Sequence, residues 1–187
     1  MRRTILFGLA CLALGAQAFA QGGDEAAPAF FEKGTFTLQV YPGYELSGGR
    51  DRSNLASATI GAGYYVFDNV ALNLELSGYH VHQRGPDTYA AGLQLILRHH
   101  LWQRERFSLF ADVGGGIFRG DDYVPSGGTH FNFTFRSGLG ITWQLRDRMH
   151  LLGGIRYFHL SNAARRGILR NPSVNGTEGY IGLMFEL

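Results

Sequence analysis

THFNFTFRSGLGITWQL, residues 129–145, alternates: Phe131, Phe133 and Phe135 fall on one side, Asn132, Thr134 and Arg136 on the other. Successive side chains of a strand point to opposite faces, so a period of two means a strand with one apolar and one polar face. The same period recurs along the chain. Leu72, Leu74 and Leu76 alternate with Asn73, Glu75 and Ser77; Phe107, Leu109, Ala111 and Val113 alternate with Ser108 and Asp112. About eight such segments are expected, near 34–45, 55–67, 69–82, 88–101, 105–118, 129–145, 149–161 and 178–187. Each is about ten residues or longer, which suits a tilted membrane strand, and no segment sustains a helical 3.6-residue period.

A soluble sandwich would alternate too, but its polar face would be wet. Here the polar face carries Glu75, Arg98, Asp112, Arg136 and Arg156. Charges repeated on the face opposite the aliphatics suit a small barrel with lipid outside and a paired polar interior. The connections agree. Those at Asp68-Asn69, Gln103-Arg104-Glu105 and Arg146-Asp147-Arg148 are tight, whereas 46–54, 83–88, 119–128 and 162–176 are mostly longer. Short turns at one end and long loops at the other are the habit of outer-membrane barrels. Phe67, Trp102 and Trp143 sit beside the short turns, where an interfacial girdle belongs. The expected fold is an all-β, eight-stranded antiparallel transmembrane barrel over 34–187.

Residues 1–20 read as a cleavable signal peptide: Arg2 and Arg3, an apolar run over 4–14, then Ala18-Phe19-Ala20. Residues 21–33 read as a periplasmic lead-in. The single cysteine, Cys11, lies inside the signal, so the mature chain has no disulfide, thiolate nucleophile or sulfur-ligated metal. Without Arg2 and Arg3 the 17 basic residues become 15, against 15 acidic ones. A neutral chain argues against nucleic acid as a partner.

On the segment 149–161 the odd positions Leu151, Ile155, Tyr157, His159 and Ser161 share a face, and Arg156 marks the other as interior. His159 and Ser161 are therefore expected to face lipid at the outer rim. Two polar side chains in hydrocarbon are costly unless they have a task. They lie about 7 Å apart at Cβ and can lean together. A serine hydroxyl needs such a base to lose its proton. Asn162 follows, and the N–H groups of Asn162 to Ala164 are candidate donors to an oxyanion.

Tyr157-Phe158-His159-Leu160-Ser161-Asn162-Ala163 resembles the His-x-Ser-Asn-Ala signature of the lipid A 3-O-deacylase (PagL) family. The resemblance implies an eight-stranded outer-membrane barrel that cuts the ester-linked 3-O-acyl chain of lipid A with an external Ser-His-Glu triad. It implies His159 as base, Ser161 as nucleophile and Asn162 and Ala164 at the oxyanion hole. Asn175-Gly176-Thr177-Glu178 is similar to the family's acid segment, which implies Glu178 as the acid. Three features depart from the pattern, one being a longer connecting loop over 165–174 that carries Arg165, Arg166 and Arg170. Ala164 stands where glycine is common, and the parity that turns Ile181, Leu183, Phe185 and Leu187 to lipid would turn Glu178 inward unless a bulge at Gly179 rotates it.

Arg165, Arg166 and Arg170 are candidates for lipid A phosphates, which arginine can grip bidentately; the alternative is solvated loop charge. His80 and His82 share a face, but without a third ligand they read as interfacial packing, not metal. The expected partner is lipid A or lipopolysaccharide of the bacterial outer membrane, with no cofactor and no metal; a homodimer is left open. Two other readings stay open: an esterase acting on phospholipid, and a non-enzymatic barrel for adhesion or membrane integrity.

Overall fold

The computed structural model describes residues 30–48, 53–165, 167 and 171–187. The expected signal peptide, most of the lead-in, and Arg166 and Arg170 lie outside the described residues. Eight strands follow in chain order: β1 (Phe36–Ser47), β2 (Asn54–Phe67), β3 (Val70–His82), β4 (Thr88–Arg104), β5 (Phe107–Val124), β6 (Thr129–Arg146), β7 (Met149–Ser161) and β8 (Val174–Glu186). Each pairs antiparallel with its neighbours, and β8 returns to β1, so the sheet is a closed barrel. Closure satisfies every strand edge, which a bilayer demands.

The expected segments hold, with three differences. β4 and β5 run further than the alternation suggested. The long outer connection at 119–128 shrinks to 125–128, because β5 continues past a register shift between Arg119 and Val124. That shift sets Gly120–Tyr123 against His130 on β6. Finally, β8 begins at Val174, not near 178, which draws Asn175 into the sheet opposite His159. The short turns need left-handed residues at Asn69, Glu105 and Arg148, with φ of 63°, 49° and 59°.

Alternation divides the side chains between two media. Leu38, Val40, Ile60, Leu74, Leu76, Leu95, Leu139, Ile155 and Ile181 are exposed on the outer face. On a water-soluble protein such a band would be an aggregation hazard; in a bilayer it is the lipid contact. Phe67, Trp102 and Trp143 stand exposed at the short-turn end, with Phe107 between the two indoles at 5.6 and 6.2 Å between ring centroids.

Inside, a charged layer lies between two apolar ones. Arg98 grips Asp112 with Nε–Oδ1 and Nη2–Oδ2 at 2.9 and 3.0 Å. Arg156 reaches Glu75 and Asp112, and Arg136 reaches Glu45 at 3.1 Å. These charges are fully desolvated, so each needs the others' fields and hydrogen bonds to be tolerable. Above them pack Leu55, Val81, Phe118, Phe158 and Leu160; below them Tyr41, Tyr65, Phe110, Leu152 and Met184.

The end of the lead-in corks the short-turn mouth. Phe31 is 1% exposed, stacked on Tyr65 at 4.8 Å and set between His100 and His150. Its N–H donates to Asn69 Oδ1, and Asn69 N–H donates back to Phe31 O.

His80 and His82 face outward at the long-loop end beside Asp87. His82 Nδ1 lies 2.9 Å from Asp87 Oδ1, and this hydrogen bond holds the Asp87 carboxyl below the usual carboxylate range. The His80 ring packs on Tyr89 at 5.2 Å. Among the described residues no group of three His, Cys, Asp or Glu could hold a metal ion.

Candidate active site

The upper end of β7 carries Tyr157, His159 and Ser161 on the outer face. His159 Nε2 lies 3.0 Å from Ser161 Oγ, within reach of a proton transfer. The strand repeat alone would leave the two Cβ atoms about 7 Å apart; the imidazole leans along the strand to close the gap. On β6, Phe135 and Phe133 are the direct cross-strand neighbours of His159 and Ser161. Their rings wall the pair on that side with hydrocarbon.

On the other side stands Asn175. It is the cross-strand partner of His159, and its Oδ1 lies 2.7 Å from His159 Nδ1. The carbonyl oxygen of an amide can only accept, so Nδ1 carries the imidazole proton and Nε2 is left with its lone pair toward Ser161. Tyr157 O–H donates to the same Oδ1 at 2.7 Å, and Asn175 Nδ2 donates to Ser173 Oγ at 3.2 Å.

Glu178 is not at this site. Its carboxylate is 0% exposed inside the barrel, 3.5 Å from Arg136 Nη1 and 3.9 Å from Arg156 Nη1. The expectation that it orients His159 is corrected by strand parity. Glu178 is three residues beyond Asn175 and so on the opposite face, paired across the sheet with Arg156. No bulge at Gly179 rotates it, because the β7–β8 register runs unbroken from Met149 to Leu160.

The turn after Ser161 is tight. Ala163 and Ala164 are both left-handed, with φ of 53° and 56°. Arg165 N–H donates to Asn162 O at 3.2 Å, and Gly167 N–H to Ala164 O at 2.9 Å. The Asn162 side chain is buried beside a rim cavity. Its main-chain N–H, one of the expected oxyanion donors, donates to Asn171 Oδ1 at 3.0 Å.

The rim cavity holds about 790 Å³ and is lined by Arg119, Tyr123, His130, Phe131, Asn162 and Arg165 among others. The Arg165 guanidinium stands 6.0 Å above the Phe133 ring, so it borders the residue beside Ser161. Arg119, on the outer face of β5, was not singled out from the sequence. The expected fifth strand stopped at 118 and left Arg119 in a loop, whereas β5 continues and pairs Arg119 with Phe131 in regular register before the shift. Asn175 was missed for a similar reason. Its parity with Ile181 and Leu183 already places it on the lipid face, but the expected start of β8 was too late to include it.

The lipid A 3-O-deacylase (PagL) family profile matches residues 40–184. Solved structures with this fold include the outer membrane enzyme PagL, at 16% identity over 80% of this chain and 98% of that one, TM-score 0.51. They also include the outer membrane protein OprG of Pseudomonas aeruginosa, at 11% identity over 83% and 97%, TM-score 0.59. Neisserial surface protein A matches at 13% over 82% and 96%, TM-score 0.59. No curated protein sequence matches the chain. On the family match and the closed eight-stranded barrel, the chain belongs to the lipid A 3-O-deacylase (PagL) family and resides in the bacterial outer membrane.

Proposed function

We propose that the chain hydrolyses the ester-linked 3-O-acyl chain of lipid A, with Ser161 as nucleophile and His159 as general base. The observation that carries this reading is the 3.0 Å contact between His159 Nε2 and Ser161 Oγ on the lipid face at the long-loop end. That end belongs to the outer leaflet, where lipid A resides.

Ser161 Oγ attacks the ester carbonyl carbon while its proton passes to His159 Nε2. The tetrahedral intermediate collapses as that proton moves to the departing sugar oxygen, leaving an acyl-serine and a free hydroxyl. Water then attacks the acyl carbon, gives a proton to His159, and releases the fatty acid as Ser161 recovers its hydrogen. The Ala164 N–H is assigned to the oxyanion; losing one such donor typically costs about two to three orders of magnitude in rate. Arg165 is assigned to a lipid A phosphate, with Arg119 across the rim cavity.

The test is mass spectrometry of lipid A from cells expressing wild type or Ser161→Ala. Wild type should remove one 3-hydroxyacyl chain and Ser161→Ala none. Retention of that chain in both strains refutes lipid A as substrate. Release of fatty acid from phospholipid micelles in its place would redirect the same serine to phospholipid.

A further inference from the structure

The site has no carboxylate in contact with His159 among the described residues. We propose that Asn175 is the positioning residue for His159, an uncharged third member of the site, held in place by Tyr157 and Ser173. The proposal rests on Ser161 and His159 being nucleophile and base, and it concerns which group orients that base.

Three observations carry it. First, His159 and Asn175 are direct antiparallel partners, so their separation is set by the sheet and not by a loop. Directly opposed residues have Cβ atoms about 5 Å apart, which suits a short hydrogen bond between side chains. Second, Asn175 Oδ1 accepts twice, from His159 Nδ1–H and from Tyr157 O–H, both at 2.7 Å, and its Nδ2 is held by Ser173. An amide tethered at both ends loses little entropy in orienting the imidazole. Third, the residue the sequence pattern marks as acid, Glu178, is committed to Arg136 and Arg156 behind the sheet.

The medium explains why an amide suits this place. An ionised carboxylate beside Phe135 and the lipid tails would be poorly solvated in the resting enzyme, whereas an amide has no net charge to desolvate. The amide oxygen still sets the imidazole tautomer and ring angle. What it supplies less of is stabilisation of the imidazolium formed during the reaction. An asparagine partner for a catalytic histidine is known chemistry in cysteine proteases.

The groups facing His159 are Phe133 and Phe135 from β6, Tyr157 and Ser161 from β7, Asn175 and Thr177 from β8, and Ser173 from the loop. Tyr157 is the titratable one among them, and Arg165 stands over Phe133. Replacing Asn175 by aspartate therefore adds a carboxylate where none stood.

The experiment uses full-length barrel in detergent micelles, labelled with 15N-histidine, with the His159 signals assigned by their loss in His159→Asn. Wild type should show His159 protonated at Nδ1 and bare at Nε2. Asn175→Ala should move it toward the Nε2–H form and lower kcat on lipid A about 10- to 100-fold, with KM within about twofold. Asn175→Asp preserves side-chain size and guards against misfolding. It should keep the Nδ1–H form, remain active, and move the acid limb of the pH–rate profile up by about one pH unit. A His159 found as Nε2–H in wild type overturns the proposal. So does Asn175→Ala that folds, shown by its heat-modifiable gel shift, and matches wild type in tautomer and kcat. So does a pH profile unmoved in Asn175→Asp. If wild type has the Nδ1–H form but leaves lipid A intact, the positioning role is supported and the substrate assignment fails.

Discussion

Asn175 and Glu178 lie three residues apart on β8 and face opposite media: Asn175 meets His159 at the lipid surface, and Glu178 meets Arg136 and Arg156 inside the barrel. Two polar residues of one short segment thus have separate tasks, one near the chemistry and one in the charged core.

Glu178→Gln should therefore leave hydrolysis nearly intact while weakening the barrel. Removing one partner of a buried ion pair strands the other, a loss on the order of 3 kcal/mol, softened here by Glu45 and Glu75 near Arg136. Lipid A turnover within about threefold of wild type, with a lower urea midpoint, is the expected pair of results. A thousandfold loss of turnover in folded protein would return the acid role to Glu178.

Ala164 is left-handed at φ 56°, a conformation that costs a residue with a Cβ roughly 1 kcal/mol and glycine almost nothing. Ala164→Gly should raise stability by up to about 1 kcal/mol in urea unfolding. It should keep lipid A turnover, since the N–H assigned to the oxyanion is unchanged. A destabilised variant would mean that the turn gains more from the reduced freedom of the unfolded alanine chain than it loses in strain.

Arg119 and Arg165 share the rim cavity, so each should act on binding and not on bond cleavage. A charge-assisted hydrogen bond contributes about 1.5–3 kcal/mol, which is roughly a 10- to 100-fold change in affinity. Arg165→Ala is expected to raise KM for lipid A in that range, with kcat little changed. Its KM for an uncharged long-chain ester should not move. Equal effects on both substrates would show solvated loop charge and no phosphate contact.

Phe31 corks the mouth far from Ser161, so Phe31→Ala should separate stability from catalysis. Emptying a buried phenyl site typically costs about 3–5 kcal/mol. The expected result is a lower temperature for the heat-modifiable gel shift with the kcat of the remaining folded protein unchanged.

The barrel was legible because its signal is local. Whether Phe133 or Thr134 faces lipid follows from parity within one strand, and the bilayer rewards that parity across eight strands. The outward direction of His159 and Ser161 was legible for the same reason: Arg156 between the apolar positions shows which side is inside. Parity would also have chosen Asn175 over Glu178, had β8 been started four residues earlier.

By itself, then, the chain's alternation determined the sheet, its two faces, and the pairing of a serine with a histidine at the lipid surface. Only the folded barrel decided which residue stands behind that histidine, where Arg119 lies, and what Glu178 does. The reason is range. Facing is a property of neighbours two apart, whereas register joins His159 to Asn175 and Arg156 to Glu178 across a loop, and is settled only when the interior charges find their partners and the sheet closes on β1.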